Sequence, residues 1–468
     1  MGQISNEMPT LDEYYSKREQ IIEENTNLVG VILNDEEKRV DAILKKYKEL
    51  YKKECGDDIK YSIPTLSDDR IIKSKLYSFC KDLPKGSDLH VHGTSLVPIH
   101  RLIDFLIENN KLYFNVKNHY LANKKTEDTI LFKDAILNKI VDKESLLREW
   151  TILNRKQEET PWHFFENLFA YFDAIDADFS VLKDYYIYAF NYYLDIHINH
   201  IEIHSIIIPD KKLSFNIINT IKEAYFEVKK KRPELSVSVI CASMKQFDSF
   251  EETKTILNNA IDAYKIIKDD FNPNDIHNFV IGFDLVNEED KSRSLKDYAE
   301  LLINIKKENP DFEYYLHCGE SINTENNNLI DAYLLKAERV GHGTNLYRYP
   351  SLLKEYVNNE ICLESCLISN QRLDYVKDLR LHPSAEYLKR GVTIALCSDD
   401  PAYMEYEALV DDYFAAIICW DLGLAEIKHL CINSIMYSGT DSSSKQELMK
   451  NWHISWLSFI KKYSQNTL

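Results

Sequence analysis

Several short apolar segments of this chain end in histidines and carboxylates whose spacing suits a metal ion. One segment ends Asp88-Leu89-His90-Val91-His92. Others run into His317-Cys318-Gly319-Glu320, Gly341-His342-Gly343, Ser369-Asn370 and Ser398-Asp399-Asp400-Pro401. On a strand, His90 and His92 point the same way about 7 Å apart, close enough to hold one ion. A third histidine and an aspartate from other strands would complete a nitrogen and oxygen set with a position left for water. Zinc in such a set lowers the pKa of its water to about 7 and supplies hydroxide at neutral pH. Each signal alone has a plainer meaning: a buried His pair, a strand-end cap, a turn that opens a helix. Their succession along the chain favours the metal.

Two further residues could move protons. Glu320 lies three residues beyond His317, where desolvation beside a metal pocket could keep a carboxyl protonated as an acid. His342 lies between two glycines, which would leave its imidazole uncovered to orient water or take its proton. Other chemistries are excluded. The His-x-Glu and Pro-Cys-x-x-Cys signature of one zinc deaminase class is absent. So are a His-Glu-x-x-His helix and a phosphate-binding glycine loop, and Cys362 and Cys366 suit strand packing.

Eight segments read as strands: Asp88–His92, His200–Ile207, Leu235–Cys241, Phe279–Leu285, Glu313–Cys318, Arg339–His342, Ile361–Glu364 and Val392–Cys397. Most are continuous apolar runs, as in strands covered on both faces, and helical stretches such as Lys254–Lys268 and Ile330–Glu338 separate them. This alternation predicts an α/β fold, a (β/α)8 TIM-type barrel with its site at the C-terminal strand ends. The first two strands stand more than about 100 residues apart, and Lys111–Phe132 alternates weakly there, as a small hairpin insertion would. Residues 1–82 read as an N-terminal helical extension and 83–468 as the barrel. In the extension Val40, Ile43, Leu44, Tyr47, Leu50 and Tyr51 form a helical stripe that must cover either the barrel or a second subunit. Pro64 breaks the pattern, a helix from Asp68 to about Cys80 follows, and Leu424–Phe459 reads as closing helices.

The 468 residues, 44% of them apolar, are ample for a large core. A net charge of −18 opposes binding to a nucleic-acid backbone. No run approaches the roughly 18 apolar residues of a membrane span, and no secretory signal is visible at Met1–Asn6. Nine scattered cysteines suit a reducing compartment, and the cytoplasm is the expected location.

The chain resembles the adenosine deaminase superfamily, and within it the growth-factor branch. The matching segments run from Leu83-Pro84-Lys85-Gly86 and His90-Val91-His92 through Ile281-Gly282-Phe283-Asp284-Leu285-Val286, His317-Cys318-Gly319-Glu320 and Arg339-Val340-Gly341-His342-Gly343. They continue with Ile368-Ser369-Asn370-Gln371, Leu379-Arg380-Leu381-His382-Pro383, Ser398-Asp399-Asp400-Pro401 and Asn433-Ser434-Ile435-Met436-Tyr437-Ser438. The resemblance implies that His90, His92, His317 and Asp399 bind Zn2+, that Glu320 protonates purine N1, and that His342 assists attack at C6. Asp400 would contact N7, the backbone at Asn287 would approach N3, and Thr94 and Trp162 would lie near the substrate. Three departures concern the sugar side and the pocket wall. Gly93 and Thr94 stand where the superfamily often has an aspartate contacting ribose, Asn287 replaces a usual glycine, and Leu367 a usual proline. Glu159 and Glu166, near Trp162 and Phe165, are candidate replacements for the missing carboxylate. The branch's cysteine pair is also missing, since residues 81–240 contain no cysteine. The expected activity is zinc-dependent hydrolytic deamination of the purine nucleosides adenosine and 2′-deoxyadenosine. Alternatives are a deaminase of 5′-modified adenosines or adenine nucleotides, and an inactive dimeric signalling relative. The resemblance also implies a homodimer through the N-terminal helices.

Overall fold

Strands covered on both faces read as unbroken apolar runs, and such runs build the centre of this protein. The computed structural model describes residues 8–24, 29–55, 69–156, 158–269 and 279–465. The first barrel strand is β1 (Gly86–His92). A small antiparallel sheet follows, made of β2 (Tyr113–Asn115), β3 (Leu121–Ala122) and β4 (Thr129–Leu131) in the order β3-β2-β4. The barrel resumes with β5 (Ile198–Ile206), β6 (Ser236–Met244), β7 (Val280–Val286) and β8 (Glu313–Cys318). It ends with β9 (Arg339–His342), β10 (Cys362–Ser365) and β11 (Ile394–Leu396). All eight expected barrel strands are present, with ends shifted by a few residues. They pair in the order β1-β5-β6-β7-β8-β9-β10-β11, each neighbour parallel.

The ring is completed beyond the last strand rather than within it. Val91 bridges Asp399. The Asp399 N–H donates to the His90 carbonyl at 2.9 Å, and the His92 N–H donates to the Asp399 carbonyl at 3.1 Å. Helices between the strands, including Phe250–Asp269, Leu295–Glu308 and Pro350–Asn358, complete a (β/α)8 barrel.

Inside the barrel the apolar rule is broken by a buried charge network. The Arg339 guanidinium donates to Glu202 at 2.5 Å and Glu364 at 2.6 Å, and lies 4.3 Å over the Tyr315 ring. Glu202 also pairs with His200 at 2.9 Å and accepts the Gly439 N–H at 2.6 Å. The one buried guanidinium stands between two carboxylates, so the buried ions are compensated.

The helical stripe of the extension packs on the barrel domain. Val40, Ile43, Leu44, Tyr47 and Tyr51 of helix Asp35–Cys55 are buried, whereas Leu50, at 37% exposed, falls off the stripe. Tyr47 meets Tyr463 at 6.5 Å, Tyr51 meets Phe414 at 5.2 Å, and Lys48 pairs with Asp421 at 3.0 Å. The helix expected from Asp68 to Cys80 is two helices, Asp69–Ile72 and Lys75–Asp82. Ser74 starts the second by accepting the Tyr77 N–H at 3.0 Å. Asp68 itself and the break at Pro64 lie outside the described residues. No described helix is long and apolar enough to cross a membrane. All nine cysteines are free thiols; Cys362, Cys366 and Cys397 pack together with Leu89 and Ala395.

Candidate active site

Strand ends converge at the C-terminal mouth of the barrel. His90 and His92 close β1, His317 lies next to the end of β8, His342 ends β9, and Asp399 follows β11. Ligating atoms of His90, His317, His342 and Asp399 all lie within 4.8 Å of one another. His92 Nε2 is 3.2 Å and His90 Nε2 3.6 Å from the same oxygen, Asp399 Oδ1. The His92 ring centroid lies 5.2 Å from those of both His90 and His317. His90 Nε2 is buried and finds no hydrogen-bond partner. A buried, orphaned ring nitrogen is costly unless something meets it, and this nitrogen and oxygen set fits a metal cation.

The surroundings fix these side chains. Glu364 Oε2 lies 2.7 Å from His90 Nδ1, and Asp284 Oδ2 lies 2.5 Å from His317 Nδ1. Each leaves the far ring nitrogen turned toward the cluster, as carboxylates behind metal-bound histidines do. Against burial, the nearby carboxylates of Asp399 and Glu364 raise His90 well above the ordinary histidine range. Burial lowers His317 to about 3 despite Asp284, with His90 adding to the fall. Against burial, the His90 and His92 imidazoles beside it hold Asp399 well below the usual carboxylate range. The cluster thus competes for positive charge that it cannot share evenly.

Backbone geometry is equally demanding. His342 and Asp399 both have φ of 61°, a left-handed conformation that costs free energy in non-glycine residues and gathers at functional sites. The glycine before His342 serves a neighbour. A Cβ on Gly341 would lie 3.0 Å from His90 Cε1, so Gly341 makes room for the His90 ring. The imidazole of His342 is not uncovered, as the flanking glycines suggested, but 1% exposed.

Glu320 and His342 meet beside the cluster. Glu320 Oε1 lies 3.3 Å from His342 Nδ1 and accepts the Asn370 amide at 2.6 Å. The Asn370 amide nitrogen also lies 3.1 Å from His342 Nδ1, while its oxygen lies 3.2 Å from His382 Nε2. Burial, with Asp399 and Glu289 nearby, pushes Glu320 well above the usual carboxyl range. Burial pushes His342 well below the histidine range, although Asp399 opposes this. Burial thus favours the neutral form of both the carboxyl and the imidazole.

Both groups line a cavity of about 430 Å³, as do Thr94, Trp162, Asn287 and Asp400. Asn287 has φ of 90°, which explains why glycine is usual there and why asparagine, tolerant of that region, can replace it. Asp400 Oδ1 is buried without a partner. Burial pushes its carboxyl up to about 7 against the pull of His92. Trp162 Nε1 donates to the Tyr375 hydroxyl at 2.6 Å. Of the two glutamates considered for the sugar end, Glu166 lines the cavity, whereas Glu159 accepts the Lys156 N–H at 3.1 Å outside that lining.

The structure adds residues to which the sequence reading assigns no role. His204, Asp284, Glu364 and Arg339 lie on barrel strands, and Asp176 lies on a short helix of the first connection. One signal was available: His200, Glu202 and His204 recur at every second position of an apolar strand, which places all three on one face. Asp176 carried no such signal.

The family model described as adenosine deaminase matches residues 207–453. Adenosine deaminase 2 of Dictyostelium discoideum is 27% identical, over 98% of this chain and 89% of its own length. The N6-methyl-AMP deaminase of Arabidopsis thaliana superposes with a TM-score of 0.60 at 14% identity, over 82% of this chain and 99% of that one. An amidohydrolase from Burkholderia ambifaria solved with bound zinc gives a TM-score of 0.57 at 16% identity, over 87% and 99%. The two structural likenesses establish the fold; the family match, which spans half the chain and includes His317, Glu320, His342 and Asp399, establishes more. This chain belongs to the adenosine deaminase family, in its growth-factor branch, and is a hydrolase that acts on carbon–nitrogen bonds.

Proposed function

We propose that the protein is a zinc-dependent hydrolase converting adenosine and 2′-deoxyadenosine to inosine and 2′-deoxyinosine with release of ammonia. The observation that carries this reading is the buried Glu320 lying 3.3 Å from His342, within a histidine and aspartate set fit for a cation. Zinc held by His90, His92, His317 and Asp399 would supply hydroxide at neutral pH.

The chain's own residues supply the rest. Glu320 gives its proton to purine N1, which makes C6 electrophilic as it becomes tetrahedral. His342, neutral, orients the incoming water, takes its proton and returns it to the departing amine. The raised carboxyl of Asp400 donates to N7, an acceptor, and the turned backbone at Asn287 approaches N3. Water and the nucleoside are consumed, and the hydroxy-purine product and ammonia leave. A continuous ultraviolet assay of adenosine loss on metal-loaded protein tests the reading. Turnover is expected; no turnover of any adenosine compound, or undiminished turnover by chelated protein, would overturn it.

The proposal includes a cytoplasmic homodimer joined through the N-terminal helices. Helix Leu11–Glu24 leaves Leu11, Tyr14, Tyr15, Ile21 and Ile22 exposed, and an apolar face of that kind suits a second copy. Nine free thiols suit a reducing compartment. Sedimentation of the full chain and of a Leu11→Glu, Tyr15→Glu variant separates dimer from monomer.

A further inference from the structure

At one end of the cavity the purine must place C6 against the His and Asp cluster. The sugar, attached across the fused ring from C6, then lies toward the wall built by the first barrel connection. That wall lacks the carboxylate that resemblance expects at positions 93 and 94, where the chain has Gly93 and Thr94. A different carboxylate occupies the space. Asp176, from helix Asp173–Asp176, lines the cavity, and the Thr94 hydroxyl donates to its Oδ2 at 3.4 Å. Asp176 is an exposed residue that reaches the rim of the cavity. Phe169 and Tyr403, 4.6 Å apart, wall the same space.

The charges there carry one sign. Glu166, Asp173 and Asp176 line the cavity, and no lysine or arginine does among the described residues. Two further buried atoms that face it, His204 Nε2 and Asp400 Oδ1, lack partners and await polar atoms of a ligand. A carboxylate accepts but does not donate, so it takes a sugar hydroxyl and repels a phosphate.

We infer that Asp176, aligned by Thr94, is the residue that binds a sugar hydroxyl of the substrate and selects nucleosides over nucleotides. This rests on the adenosine deamination proposed above. The specificity determinant has moved from the turn after β1 to a helix some eighty residues later in the chain, without leaving its place in the cavity.

The test is Asp176→Asn, which keeps the shape and removes the charge. Rates are measured with adenosine, its 2′-, 3′- and 5′-deoxy analogues, and AMP, on protein whose metal content and melting temperature match the wild type. For adenosine, kcat/KM should fall about 10- to 100-fold, mostly through KM, as expected for a lost charge-assisted hydrogen bond. For the one analogue that lacks the bound hydroxyl, the same variant should change nothing, which also shows that it is folded. The wild-type preference for adenosine over AMP should shrink about tenfold or more in the variant. An equal loss on every nucleoside, no loss on any, or a wild-type preference for AMP would overturn the assignment. Calorimetric titration with inosine and its deoxy analogues gives a readout free of turnover and should show the same pattern. If the wild type turns over none of the adenosine compounds, it is the deaminase reading that fails, not the place of Asp176.

Discussion

The two ends of the cavity are built differently. At the cluster end every residue sits on or beside a barrel strand, and two of the histidines are steered by carboxylates: His90 by Glu364, His317 by Asp284. At the sugar end Thr94, Glu166, Asp173 and Asp176 come from short helices between β1 and β5, and the link from Thr94 to Asp176 is long at 3.4 Å. Strands fix positions by their ladder bonds on both sides, whereas helices in a connection are placed by packing alone. The difference teaches that chemistry has been placed where the fold is stiff, and selection where it can be re-cut.

The comparison breaks most sharply at Asp399. Asp399→Ala should remove both the ion and turnover, with metal content falling from about one zinc per chain to none by elemental analysis. Glu320→Gln should leave the ion in place. It removes the proton donor while keeping the shape, so kcat should fall by about 10²-fold or more with KM little changed. A raised KM with kcat intact would recast Glu320 as a binding residue.

One step out from the ions, Asp284→Asn should weaken metal affinity by about 10- to 100-fold in chelator competition, and excess zinc should restore turnover. Insensitivity there would mean that the cluster end is no stiffer than the other.

The smallest effect belongs to the sugar end and depends on pH. The protein around it and the neighbouring Asp173 push Asp176 up to about 7, against the Thr94 hydrogen bond. Its charged form grows as pH rises through that value, and the charged form is the stronger acceptor. From pH 6 to 8, kcat/KM for adenosine should therefore climb several-fold relative to the sugar analogue that lacks the bound hydroxyl, and Asp176→Asn should flatten that ratio. A ratio flat in the wild type would count against a role for the charge.

The same division decides what the sequence could reveal. The eight barrel strands were legible because doubly covered strands are continuous apolar runs and because parallel barrels put polar groups at one rim. The chemical residues stood at that rim, so His90, His317, His342 and Asp399 could be named. The expected roles of Asp400 and Asn287 came from resemblance, and the structure supplies physical company for both: an orphaned oxygen and a left-handed φ. Asp176 was illegible. Its helix has four residues, and an aspartate there reads as solvated surface. Only the packing of the connection brings it to the cavity. Leu50 failed for a related reason: helical spacing puts it at the stripe's edge, and the C-terminal helices decide where that edge lies. The interior ions of Arg339, Glu202 and Glu364 contradict the apolar pattern locally and make sense only as partners of one another.

A final consequence follows from the way the ring is joined. Asp399 offers its side chain to the cluster while its own N–H and carbonyl hold β1 to the chain beyond β11. An ion held there would be a rivet through the last joint of the barrel, and loading it should fasten the backbone as well as the chemistry. A ligand at 1,000 times its dissociation constant stabilises the folded state by about 4 kcal/mol. In hydrogen exchange that gain should be concentrated at the amides of His92 and Asp399, and stripping the metal should make the barrel come undone first along that line.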